Sequence, residues 1–280
     1  MNQHLEANPD DQDFWDLQGS KEETQMKFLL NLVVVVIIFI GLGMAYAQEE
    51  NMVLLYKFDE KTGDTARDLS GKGNDGAIID AEWVPEGKFG GGMEFNGTSS
   101  LIEVPHNDNL NPGGDQLSIL AWFKPTSFPA GHPPIARKGQ VGAGVGCWGF
   151  DTPTGTLRGF TYMAKDGVAQ ISQGGATMTQ GEWNHVAMIY DGKELNVYLN
   201  GELDGSIPVS GDINENAATS VWIGKKANES VFLNGIMDEI AILNVGISEA
   251  QLKTYMEGGI TIAVEPSGKL AASWGEIKSQ

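Results

Sequence analysis

From residue 50 onward the apolar positions fall in short runs, each closed by Gly, Asn or Asp. In "MVLLYKF" strand alternation places Leu54, Tyr56 and Phe58 on one face. "LSILAWFKP", "WNHVAMIYDG", "KELNVYLNG", "SVWIGKK" and "GIMDEIAIL" are likewise brief and rich in β-branched or aromatic residues, so each predicts a strand. Asn200-Gly201 in "NVYLNGE" and Asp191-Gly192 in "YDGKE" predict tight hairpin turns. Turn signals recur at the spacing of an all-β sandwich or barrel. One helix is expected, in "ISEAQLKTYMEGG". Ser248 and Gln251 form a capping box, Leu252, Tyr255 and Met256 an apolar stripe, and Gly258 the stop. No linker interrupts residues 51–257, which read as one domain, with 258–280 as a C-terminal extension.

Upstream the pattern changes. "MKFLLNLVVVVIIFIGLGMAYA", residues 26–47, has a lysine, a long apolar stretch and Ala45-Tyr46-Ala47, which is the plan of a cleaved export signal. Residues 1–25 are polar and acidic, and read as a disordered or non-native extension, with Met26 as the start. An uncleaved signal anchor is the alternative, and would be the chain's only link to a membrane. Cleavage after Ala47 removes seven acids and two lysines, which leaves a net charge of −14 from −19. Cys147 is the only cysteine, so export proceeds without an internal disulfide. That combination suggests a secreted or cell-envelope protein of bacterial type.

Charge and glycine content narrow the chemistry. A net charge of −19 repels phosphate backbones, so nucleic acid is excluded as a partner. Two stretches match the dinucleotide fingerprint: Gly71-x-Gly73-x-x-Gly76 and Gly144-x-Gly146-x-x-Gly149. Neither leads into a helix whose N-terminus would hold a pyrophosphate. With 37 glycines such matches arise by chance, and these glycines are expected in turns and at strand ends.

"YKFDEKTGDTARDLSGKGNDG", "FGGGMEFNG", "LSILAWFKP", "EWNHVAMIYDGKELNVYLNGE", "VWIG" and "FLNGIMDEIAILNVGISEAQL" together resemble laminin-G-like jelly-roll domains of the concanavalin A-like lectin/glucanase superfamily. The resemblance runs from about Val53 to Tyr255. It departs at Val245-Gly246, where an Arg-Ala pair is usual. It implies a two-sheet antiparallel β-sandwich with a concave face, sugar or protein as ligand, and often a structural calcium ion. It also marks Trp122 and Trp222 as core residues.

Calcium takes hard oxygen ligands. Asp59, Asp238 and the Asn96-Gly97 turn are the candidates, because the resembled fold sets its first and last strands side by side. The bland alternative has both aspartates bonding backbone amides. For a sugar, the candidates are Trp148, Phe150, Arg158, Phe160 and Tyr162, which two adjacent strands would present. The alternative, and the preferred reading of these aromatics, is a core between the sheets. Cys147 reads as a buried thiol, and His185 as a hydrogen-bonded structural histidine. The four histidines stand too far apart for zinc. The Glu-x-Asp-x-x-Glu strand motif of related hydrolases stops short at Glu202-x-Asp204-x-x-Ile207, so no catalytic residue is assigned. The expectation is an exported, calcium-stabilised, non-catalytic module that binds an extracellular polysaccharide or glycoprotein. Its alternatives are a protein-binding adhesion or scaffold domain and, third, a glycoside hydrolase without the usual motif.

Overall fold

A computed structural model describes residues 50–112, 114–139, 146–215, 219–226 and 229–260. The chain divides into residues 1–48 and 49–280, and the described residues all belong to the second unit. The expected signal segment, the acidic extension before it and all but the start of the C-terminal extension lie outside the described residues.

Among the described residues sixteen strands and one α-helix follow in order: β1 (Met52–Tyr56), β2 (Thr65–Ala66), β3 (Gly76–Ile79), β4 (Glu82–Val84), β5 (Gly92–Asn96), β6 (Leu101–Val104), β7 (Leu117–Pro125), β8 (Pro134–Gly139), β9 (Gly146–Asp151), β10 (Arg158–Tyr162), β11 (Ala169–Gln173), β12 (Asn184–Tyr190), β13 (Glu194–Leu199), β14 (Glu202–Pro208), β15 (Val221–Ile223), β16 (Asn234–Leu243) and α1 (Glu249–Gly258). They form two antiparallel sheets. The first runs β14-β13-β12-β7-β16-β5-β4, with β1 on the remaining half of β16. The second runs β11-β10-β9-β8-β15-β6-β3-β2. This is the two-sheet jelly roll expected.

Alternation assigns each strand two faces. Leu54, Tyr56 and Phe58 enter the main core together with Ile119, Ala121 and Phe123 of β7. Met52, Leu55 and Leu120 face the opposite way, where Ile247 and Leu252 cover them. Ser248 caps α1 with the full capping box. The Asn200-Gly201 turn has positive φ at both residues, as a type I′ hairpin requires. The Asn200 side chain also accepts a hydrogen bond from the His185 backbone.

The first glycine fingerprint is a loop folded on a carboxylate. Asp68 accepts from the backbone N–H groups of Leu55, Ser70 and Asn74. Gly71 and Gly73 take φ of 78° and 77° in that loop. A Cβ at Gly76 would overlap Ile102 and Tyr56.

His185 differs from expectation. It is buried against the edge of the Trp122 ring, 5.1 Å between centroids, and its Nδ1 has no hydrogen-bond partner among the described residues. The residue opposite it on β7 is Trp122, which presents a ring. Burial, then the charge of Lys88, holds its pKa down at about 4. An unfolded histidine takes up its proton near 6.5. Between these values the unfolded state binds more protons, so stability is complete above 6.5 and is lost as pH falls toward 4. The gap corresponds to roughly 3 kcal/mol. Melting temperature is therefore expected to fall across that window, with a shallower fall in His185→Leu. Equal slopes in the two proteins would contradict this assignment.

Candidate functional site

The site is built from the register of three strands. Across β9 and β10, Trp148 opposes Thr161, Gly149 opposes Phe160, Phe150 opposes Gly159 and Asp151 opposes Arg158. Across β8 and β9, Ala136 opposes Phe150 and Arg137 opposes Gly149. Opposed residues share a face. Trp148, Phe150 and Ala136 thus point between the sheets, and Phe160, Arg137, Asp151 and Arg158 point outward. Trp148 and Phe150 are fully buried in the main core. That corrects their place among the ligand-binding candidates: the inner face is sealed by the other sheet, and no ligand reaches them.

Arg158, Phe160 and Tyr162 do come together, around an outward pocket of about 230 Å³. Residues outside the expected set complete it: His132, Arg137, Ile171 and Lys226. Phe160 and Tyr162 lie on the sheet as its floor, edge to face. They fit because Gly149 and Gly146 leave room, since a Cβ at either would overlap the ring above it. Two glycines of the second fingerprint, Gly146 and Gly149, therefore make room for an aromatic floor, and Gly144 lies outside the described residues. Phe160 carries two cations. The guanidinium carbon of Arg137 sits 4.7 Å from its centroid and that of Arg158 sits 5.4 Å away, both within cation–π range.

Asp151 lies beneath both arginines. Arg158 Nη2 donates to its Oδ2, and Arg137 Nη1 stands 4.0 Å from the same oxygen. Burial pushes the Asp151 carboxyl above the usual carboxylate range, with Arg137 and Arg158 acting against it. Burial likewise lowers Arg137. His132 sits at the rim with φ of 66°, and Thr152 anchors the adjacent Pro133 carbonyl through both its N–H and its hydroxyl. Burial and then the charge of Arg158 lower the His132 pKa, which favours the neutral ring. Ile171, opposite Phe160 on β11, is 46% exposed. Trp222, expected in the core, opposes Arg137 and Glu103 and shares the outer face, half-buried under Lys225. Its neighbours Val221 and Ile223 are the core residues of β15.

The four expected calcium ligands do not converge. Asp59 and Asp238 share the loop before β5. Asp59 accepts from Gly91 N–H, and Asp238 from the N–H groups of Lys88, Phe89 and Glu239. Asn96 lies at the far end of β5, where its side-chain oxygen accepts from the N–H groups of Thr98, Ser99 and Ser100. Gly97 donates to the Leu233 carbonyl in that same turn. Burial, ahead of the nearby charge of Glu239 and against the amide bonds, raises the Asp238 carboxyl to about 7. Both aspartates therefore bond backbone amides, as the alternative to a calcium site expects. Among the described residues no three His, Cys, Asp or Glu side chains form a metal-binding group. Cys147 is buried, with burial raising its thiol to about 11.

Position in the core has a direct consequence. Trp148→Ala is expected to cost about 3–5 kcal/mol of stability, measured as a shift in the denaturant midpoint. A loss below roughly 1 kcal/mol would place the ring outside the packed interior.

Comparison with known proteins agrees with this architecture. Domain 4 of AbnA, a GH43 extracellular arabinanase from Geobacillus stearothermophilus solved with arabinotriose, is similar at 20% identity and a TM-score of 0.57. The alignment covers 74% of this chain and 98% of that domain. The binding domain of Paraclostridial Mosquitocidal Protein 1 is similar at 15% identity and TM-score 0.59, over 75% of this chain and 52% of its own. Trypanosoma rangeli sialidase, solved with sialic acid, is similar at 17% identity and TM-score 0.54, over 74% of this chain and 33% of its own. The chain thus spans about half or less of the last two. No curated protein matches the sequence. A laminin-G-like family model described as "Concanavalin A-like lectin/glucanases superfamily" matches residues 96–253, more than half the chain, and the protein belongs to that family.

Proposed function

We propose that this protein is an exported, non-catalytic module that binds an extracellular glycan or glycoprotein in the outer pocket of its second sheet. One observation carries the reading: Arg137, Arg158 and Ile171 ring an open pocket on an aromatic floor. Sugar sites combine an apolar surface with a few fixed polar groups, and this pocket has both. A glycosidase needs two carboxylates flanking the scissile bond. The residues lining this pocket are basic, aromatic and aliphatic, and among the described residues no carboxylate lines it. The arabinanase domain crystallised with arabinotriose supports a saccharide ligand for this fold. Export rests on the segment 26–47 alone.

A protein ligand is the second reading, favoured by Val168 and Leu203. Both are 52% exposed, on or beside edge strands β11 and β14. A glycan panel decides between the two. The protein is expected to retain one or more glycans, and Ile171→Trp, which fills the pocket mouth, is expected to weaken retention at least about tenfold with the melting curve unchanged. Retention that ignores Ile171→Trp, or no retention, contradicts the glycan reading.

Calcium enters this proposal at Asp59 and Asp238 only. A cation there would offset the cost of burying the Asp238 charge. Addition of calcium is expected to raise the melting temperature and chelation to lower it. Identical curves in both conditions would remove the ion.

A further inference from the structure

The pocket concentrates positive charge in an acidic protein. The chain has three arginines and a net charge of −19, and two of the three arginines line this one pocket. Lys226 adds a third cation, paired at 2.8 Å with Glu229, whose side chain is 45% exposed. Arg137 and Arg158 have one carboxylate between them, Asp151. Among the described residues, Arg137, Arg158 and Lys226 face two carboxylates, Asp151 and Glu229, the latter also acting on Arg137, so one positive charge is in excess in a largely dry place, an arrangement that costs free energy until an anion completes it.

The hydrogen-bond pattern points the same way. Arg137 is 3% exposed, yet its Nη1 has no hydrogen-bond partner among the described residues. Arg158 Nε and His132 Nδ1 are also buried and unpartnered. Both guanidiniums lie over the Phe160 ring, and Arg158 is also tied to Asp151 by a hydrogen bond. Guanidinium N–H groups bind carboxylates and tetrahedral oxyanions in paired fashion, which gives strength and orientation together. The chain's remaining negative charge acts weakly on a ligand in the pocket, because at physiological salt it is screened beyond about 8 Å.

We propose that the pocket selects an acidic saccharide: a sugar carrying one oxyanion, carboxylate or sulfate ester, that seats on Arg137 and Arg158 with its ring against Ile171. This rests on the glycan reading of the same pocket. A single uncompensated positive charge matches one anionic group per ring, and Ile171 supplies the apolar wall for the C–H face.

The test is calorimetric titration of the full chain with three pairs of probes: oligogalacturonate, a sialylated lactose and a sulfated lactose, each against its neutral parent. At least one acidic probe is expected to bind about tenfold or more tightly than its parent, a difference of roughly 1.4 kcal/mol. The pair that shows it separates carboxylate from sulfate recognition. Arg158→Gln is expected to erase the preference, and Arg158→Lys to keep part of it. Lys226→Gln, whose partner Glu229 is largely solvated, is expected to reduce it several-fold and carries the test should Arg158→Gln fail to fold. Equal binding of acid and parent, both blocked by Ile171→Trp, overturns the anion preference and leaves the glycan site standing. Binding that Ile171→Trp does not touch, or none to any probe, overturns both.

Discussion

A side chain on a strand can point only two ways, and the register of β8, β9 and β10 decides which residues hold the sandwich together and which face outward. Gly149 opposite Phe160 is the critical pairing. It sends Trp148 and Phe150 into the interior and leaves a flat space on the outer face for the Phe160 ring. A slip of one residue would exchange the two sets, with tryptophan in solvent and arginine in the core. Everything described for the pocket follows from this one alignment, including how the guanidiniums of Arg137 and Arg158 come to share a ring and a carboxylate.

The fold was legible in the sequence because short-range signals agreed with one another. Asn200-Gly201 demanded a two-residue hairpin, Ser248 and Gln251 demanded a helix start, and Leu54, Tyr56 and Phe58 demanded a buried face. The site was half legible. Alternation puts Trp148 with Phe150 on one face and Phe160 with Tyr162 on one face, but alternation alone does not say which pair faces the other sheet. Arg137, His132 and Lys226 were missed because they reach the pocket from β8, the turn before it and the segment after β15. Their convergence is a product of strand order. One signal was present: the scarcity of arginine in an acidic chain makes each of the three a residue to explain. Trp222 was misplaced because a shared core phrase was read as a buried tryptophan, whereas Val221 and Ile223 carry the packing. Asn96 and Gly97 were grouped with Asp59 because the strands are neighbours, yet β5 separates its two ends.

Two acidic sites show different solutions to one problem. Asp238 is buried and met by three backbone N–H groups, which are dipoles rather than charges, and its carboxyl remains raised. Asp151 is buried and met by guanidinium charge, and burial raises its carboxyl as well. The first is met by dipoles and the second by two cations, and on that difference we propose a cation for the loop before β5 and an anion for the pocket. The net charge of −19 is a property of the chain as a whole. It does not set the local field a few ångströms from two fixed arginines.

Three arginines make a simple spectrum, and the side-chain Nε–H resonances of Arg67, Arg137 and Arg158 are the most direct test of the central claim. The outward register of β8 and β10 predicts that an acidic saccharide added to the labelled protein shifts the Arg137 and Arg158 signals together and leaves Arg67 in place. Shifts at Arg67, or none at the other two while ligand binds elsewhere, would contradict it.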